Sequence, residues 1–294
     1  MTSRIAISFE FFPPKTDKGL ANLVTTARRL ARFHPRMMTV TCGAGGSTRD
    51  TTPATIRAIR KATGLSVAAH LTCAGAPRQE IDTIAKAYWQ DGIRNLVALR
   101  GDPPGGLDKV YTPHPEGYAY ASDLVYGLKS IAPFDISVSA YPEVHPQAVN
   151  AAADLDALKK KQDAGANRAI TQFFFDNQDF LRFRDRAFEA GVSIPLVPGM
   201  MPIANFAKVV GFSAGCGAQI PTALSDLFDG VSADDPRHPM LAAGYAADQC
   251  RGLMDEGVDQ FHFYTMNKPE LTGAVCRMIG MHEDQSVSTE KVAA

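Results

Sequence analysis

The stretch EIDTIAKAYWQDGIRNLVALRGD, residues 80–102, holds one full unit of the fold. Its first part is an Ala/Ile-rich amphipathic run that stops at Gly92. A glycine just past the last helical turn is a helix-stop signal. RNLVALR (94–100) follows at once, short and apolar like a buried strand. Arg100, Gly101 and Asp102 then open a polar loop.

The same order recurs along the chain. DFLRFRDRAFEAG (179–191) ends in glycine and runs into SIPLVPG (193–199). The other candidate strands are IAISFEFF (5–12), MMTVTC (37–42), LSVAAHLT (65–72), DISVSAY (135–141), RAITQFFF (168–175) and QFHFYT (260–265). That makes eight, and each interval can hold a helix, as LANLVTTARRLARF (20–33) shows. Strands alternating with helices imply parallel pairing through right-handed crossovers. Eight such units with no break in composition predict a (β/α)8 TIM-type barrel, α/β in class, over an open doubly wound sheet. GAGGS (43–47) and GCGAQ (215–219) both miss the G-x-G-x-x-G spacing, so a Rossmann dinucleotide site is unsupported. A single domain is expected over 1–281, with extra loops and short helices, then a polar, frayed tail over 282–294. Two long irregular pieces stand out, 101–118 and about 214–236, the latter with room for a short helix.

Composition narrows the function classes. The chain has 294 residues, and a barrel takes about 250. Net charge is −1, without the basic excess that nucleic acid or an anionic membrane favours. No apolar stretch approaches the ~20 residues of a membrane span, and no signal peptide is expected. The five cysteines are widely spaced with no C-x-x-C, which reads as reduced thiols in a cytoplasmic protein. The histidines are dispersed, with no H-x-H or H-E-x-x-H, so no metal site is expected.

In a β/α barrel the active site lies at the C-terminal ends of the strands. Those ends carry Glu10, Thr41, His70 and Thr72, Arg100 followed by Asp102, Tyr141 followed by Glu143 and His145, Gln172, and His262 with Tyr264. Each has a structural alternative. Glu10 could pair with an interior Arg or Lys, because a carboxylate among aromatics must be paired or functional. The histidines could be satisfied core residues, and Asp102 could cap a turn. The triple lysine 159–161 could be a solvated helix face, or Lys160 or Lys161 could meet a phosphate at the rim. The coincidence of polar groups at one end favours a site.

The motifs SFEFFPPK (8–15), HLTC (70–73), ALRGD (98–102), YASDLV (120–125), YPEVHP (141–146), KKKQDAGANRAITQFFFD (159–176) and FHFYTMN (261–267) together resemble the bacterial methylenetetrahydrofolate reductase family. The resemblance runs from about residue 5 to 280. It implies a β/α barrel with non-covalent FAD, NADH or NADPH as co-substrate, and a folate substrate in the one-carbon supply to methionine. It also implies a ping-pong reaction and a homodimer or homotetramer.

By the same resemblance, Glu10 protonates folate N5, and Asp102 lies beside flavin and pterin and shapes the flavin potential. Gln172, Phe212, Tyr264 and Lys268 are implied substrate contacts, with Lys268 standing where the family often has Arg. Implied FAD contacts are Thr41, Ala44, His70, Arg100, Gly101, Asp102, Tyr120, Ala121, Asp123, Tyr141, His145, Ala148, Asp154, Lys160 and Lys161. Cys42 stands where relatives often carry an aromatic, and Ala157 replaces a polar residue on the FAD-facing helix. Burial among Phe9, Phe11 and Phe12, together with a nearby Asp102, is expected to raise the Glu10 pKa above the ~4.3 of a free Glu. Two other classes fit the same strand ends. One is a flavin-independent barrel enzyme of pterin one-carbon chemistry, and the other is a non-catalytic folate- or flavin-binding relative.

Overall fold

A computed structural model of the chain describes residues 5–42, 51–103 and 109–284. Eight parallel strands close into a barrel in sequence order. They are β1 (Ala6–Phe11), β2 (Met37–Val40), β3 (Val67–Thr72), β4 (Asn95–Leu99), β5 (Asp135–Ala140), β6 (Arg168–Phe173), β7 (Leu196–Met200) and β8 (Gln260–Tyr264). All eight expected strands are present; six of them stop one or two residues before the end of the apolar run, while β3 ends where expected and β7 begins three residues later and runs one residue further. The predicted (β/α)8 barrel is therefore the observed fold.

The helices that form the outer ring are α1 (Asp17–Ala31), α2 (Thr51–Thr63), α3 (Arg78–Gln90), α4 (Ala121–Ile131), α5 (Ala151–Asp163), α6 (Asn177–Glu189), α9 (His238–Asp255) and α10 (Pro269–Met278). Two more, α7 (Phe206–Ser213) and α8 (Thr222–Leu227), lie in the long connection between β7 and β8. α8 is the short helix expected within 214–236. The α3 stop works as the sequence implies. Gly92 takes φ +76°, and the Ile93 N–H turns back to Tyr88 O at 2.9 Å.

Strand alternation sorts the side chains into two shells. Phe9, Phe11, Met38, Val40, Ala69 and Leu71 point outward into the core shared with the helices. The lumen is layered. At the N-terminal end Arg168 meets Asp135 at 2.7 Å and also donates to Ser137 Oγ at 3.1 Å. Above it lies an apolar plug of Met37, Ala68, Val97, Ile170 and Val197. The polar strand ends sit above that plug. Among the described residues, no helix is long and apolar enough to cross a membrane.

Candidate active site

A cavity of about 640 Å³ opens at the C-terminal end of the barrel. Every strand, or the residue just after it, supplies part of its wall, from Glu10 on β1 and His70 on β3 round to Tyr264 on β8. Seven of the residues assigned to the site from the sequence line it: Glu10, Thr41, His70, Tyr141, Gln172, Phe212 and Tyr264. Cys42 also lines it. A second hollow of comparable size lies at the opposite end, lined by Arg57, Arg60, Lys61 and Arg94. It contains none of the residues assigned from the sequence.

Glu10 forms the floor. Its carboxyl is buried, with Oε2 3.4 Å from both His70 Nε2 and His262 Nε2. His70 Nε2 also lies 3.2 Å from Thr39 Oγ1, and His262 Nδ1 lies 2.7 Å from Ser8 Oγ. A serine hydroxyl either donates to an imidazole nitrogen or accepts from it. His262 can thus present an N–H or a lone pair to Glu10, supporting the carboxylate and the carboxylic acid in turn. The interior arginine that could have neutralised Glu10 is Arg168, and it is committed to Asp135.

This arrangement corrects the expectation for Glu10. Phe9 and Phe11 face the helices, and Phe12 is partly exposed at the rim, so none of them encloses the carboxyl. Burial does push the carboxyl up, but the His262 hydrogen bond and the charges of His70 and His262 outweigh it, leaving Glu10 below its ordinary value. Burial brings His70 down to about 4, against the pull of Glu10.

Gln172 and Phe173 are consecutive, yet both line the cavity. The β6–β7 register shifts between Ile170 and Phe173, placing one extra residue on β6. Gln172 Oε1 accepts from the Phe173 N–H at 3.1 Å, which leaves its NH2 available as a donor. Phe212, on α7, stands edge-on to Phe173 at 5.8 Å. The Tyr264 hydroxyl donates to Thr171 O at 2.7 Å.

Most of the other assigned residues lie on the β4–α5 side. Arg100 donates to Gln147 Oε1 at 2.7 Å and lies 4.4 Å over the Tyr111 ring, which in turn meets Tyr120. The Tyr120 N–H is capped by Asp123, and Ala121 is buried at the start of α4. His145 stands edge-on to Tyr141 at 4.5 Å, and its N–H donates to Asp154 at 3.0 Å. Its carbonyl accepts from the Ala148 N–H at 2.8 Å.

The two assigned lysines differ. Lys161 is half-buried and donates to Ser139 O at 2.5 Å. Burial and the Arg100 charge bring its ammonium down to about 8, against the pull of Asp154. Lys160 is exposed and paired with Asp156 at 2.8 Å. Ala157 is exposed on α5. Gly101 and Asp102 follow β4, and the Asp102 charge is felt at Tyr141 and Cys216. Lys268 is exposed just before α10. Ala44 lies outside the described residues.

Sequence reasoning missed Tyr111, Gln147, Met201 and Cys216. Gln147 adjoins the YPEVHP motif and could have been found there. The other three lie in connections whose course no local pattern fixes.

The methylenetetrahydrofolate reductase family profile matches residues 1–280. The chain belongs to the methylenetetrahydrofolate reductase family. The 5,10-methylenetetrahydrofolate reductases of Salmonella typhimurium and Escherichia coli are each 47% identical to it over 278 residues, covering 95% of this chain and 92% of the relative. A solved structure also shares the fold, with a TM-score of 0.64 at 12% identity, covering 94% of this chain and 95% of that one. It is an uncharacterized protein from Clostridium thermocellum that binds two copies of 5-methyl-5,6,7,8-tetrahydrofolic acid. For a methylenetetrahydrofolate reductase family member, the Glu10–His70–His262 floor is the part of the cavity equipped for proton transfer.

Proposed function

We propose that the chain interconverts 5,10-methylenetetrahydrofolate and 5-methyltetrahydrofolate, using non-covalent FAD and NADH or NADPH in ping-pong order. The observation that carries this reading is a buried Glu–His floor beneath a wide cavity, in a barrel of this family. We further propose that it acts as a homodimer or homotetramer in the cytoplasm.

The residues present fit a dinucleotide. Thr72 Oγ1, beside Gly101, is buried with no hydrogen-bond partner among the described residues. Arg100 and Lys161 bring two cations together on one flank, which calls for an anion such as a diphosphate. Arg100, Lys161, His145, Tyr120 and Asp123 would hold FAD there with Thr41, His70 and Tyr141. When bound, FAD supplies the carrier that takes hydride from the nicotinamide and returns it to the folate one-carbon unit.

The chain's own residues supply placement and a proton. Phe212 offers a ring face to the pterin, the Gln172 NH2 donates to it, and Lys268 meets the glutamate tail at the rim. Asp102 adds a fixed negative charge near the reacting rings. Glu10 is ionised in the open site. A folate lying over the mouth excludes water, which strengthens the burial effect and draws a proton onto Glu10. His262 then turns a lone pair toward the acid. Glu10 delivers that proton to N10 rather than to the N5 expected from the resemblance, because the ring must open at the C–N10 bond to leave an N5 iminium that accepts hydride and becomes the 5-methyl group.

Stopped-flow spectroscopy tests the reading. The purified protein should be yellow, bleached by NADH or NADPH, and restored by methylenetetrahydrofolate. A colourless protein that takes up no FAD would overturn the flavin reading. Folate turnover by such a protein would point to the flavin-independent class instead.

A further inference from the structure

Glu143 has no part in the chemistry above, yet it bridges two loops over the mouth. It follows Tyr141, which lines the cavity. Its two carboxyl oxygens accept the same N–H, that of Gln219, at 3.0 and 3.2 Å. Gln219 ends the segment that carries Phe212 and Cys216, both lining residues. That segment is internally fixed. After α7 it turns through a 3-10 turn (Ala214–Cys216), and the buried Ala218 donates back to Ser213 O at 3.0 Å.

Two backbone features show how closely the loops meet. Val144, next to Glu143, holds φ +77°, a costly conformation for a β-branched residue. Its carbonyl lies against Gly217, where an added Cβ would come within 2.9 Å of it. Gly217 itself has φ +75°. Apolar packing of Val209 and Ala218 holds the inner side of the segment. Glu143 supplies a polar hold on its outer side. Asp176 and Asp179 at the start of α6 oppose the Glu143 charge, while Asp176 caps Gln178 and Asp179 binds Arg182.

We propose that Glu143 is a positioning residue that clamps the β5 loop to residues 214–219 and so sets the Phe212–Cys216 wall against the folate rings. The inference rests on the folate reading of the cavity for its substrate and on geometry alone for the clamp. Substitution separates the two. Glu143→Ala removes the acceptor for the Gln219 N–H, whereas Glu143→Gln keeps one carbonyl oxygen for it.

Two measurements on the full-length protein test this, with thermal melting confirming that each variant is folded. The first is amide hydrogen exchange over 211–219, which needs no substrate. Exchange should rise about tenfold in Glu143→Ala, as expected for one lost hydrogen bond to a charged group. It should stay near wild type in Glu143→Gln. The second is steady-state kinetics with methylenetetrahydrofolate, where Glu143→Ala should raise KM severalfold with little change in kcat, and Glu143→Gln should restore it. Unchanged exchange in Glu143→Ala overturns the clamp. Raised exchange with an unchanged KM overturns the link to substrate. A wild-type protein without folate turnover defeats the functional reading, while the exchange result still decides the clamp.

Discussion

Phe9, Glu10 and Phe11 are consecutive and share no surroundings. The two rings lie in the helix-facing core and the carboxyl in the lumen. The strand pleat separates them, so aromatic neighbours in sequence do not desolvate Glu10 in space. Its partners come from 60 and 252 positions away in the chain, on β3 and β8. A polar residue in strand one was legible in the sequence. The direction of its pKa was not, because direction depends on pairings that only barrel closure creates. The correction changes what to measure. With Glu10 held low in the open site, folate binding should take up about one proton near neutral pH, read with an indicator dye in weak buffer. Glu10→Gln should bind folate without that uptake and lose folate turnover, while its bound flavin is still reduced by NADH. Uptake by the variant equal to wild type would remove Glu10 as the acceptor.

The two lysines make a second residue-scale contrast. Adjacent in KKK, they were interchangeable in the sequence. Helix geometry turns successive residues by about 100°, sending Lys160 to Asp156 in solvent and Lys161 toward Arg100 and Asp154. Lys161→Ala should weaken FAD binding about tenfold or more, the scale of a hydrogen bond to a charged group. Lys160→Ala should leave it within twofold. Equilibrium titration of apoprotein with FAD, followed by fluorescence, checks both.

At the scale of elements, period and punctuation were sufficient for all eight strands and for helix stops such as Gly92. They were insufficient for the β6–β7–β8 corner. There the extra residue on β6 lets Gln172 and Phe173 share one wall, and Gly199 lets the Tyr264 ring cross β7. TQFFF contains nothing local that announces a register shift, and Pro198 and Gly199 in LVPGM mark an irregular strand without saying that β6 carries the extra residue. An added Cβ at Gly199 would stand 2.1 Å from Thr171 O and 2.6 Å from Tyr264 Cε2. Backbone cannot yield as a side chain can, so Gly199→Ala should cost about 3 kcal/mol, the upper range for overpacking. Urea unfolding should show the midpoint falling accordingly. Cutting the Tyr264 ring back as well, in Gly199→Ala/Tyr264→Ala, should not recover the loss, because the carbonyl contact remains.

For the whole molecule, the alternating grammar with no composition break was enough to favour closure, and the barrel is closed. Burial at the mouth of the barrel also sets the pH dependence of stability. His70 and His145 are each brought down to about 4 by burial, so the native state resists protonating them. Their contribution is fully present above the unfolded value near 6.5 and is lost as pH falls toward 4. Glu143 works the other way. Burial raises it to about 7, so its contribution is present at low pH and lost as pH rises through 7. The two histidines outweigh Glu143, and the lowered Glu10 acts in the same direction as they do, so the melting temperature should fall as pH is lowered from 6.5 to 4. His145→Gln should flatten that slope, and Glu143→Gln should steepen it. Calorimetric scans across that range check the sign.

The acid–imidazole floor stands wholly on strands, whereas part of the surface that would grip ligands, Phe212 and Cys216 included, stands on the connections above them. The strands are fixed by barrel closure, and the connections are not. Ligand preference can thus shift with the connections while the proton-transfer groups stay in place. Swapping the α7–α8 connection between homologues should exchange substrate preference while leaving the chemistry intact, which makes that connection the natural unit for directed evolution of this barrel.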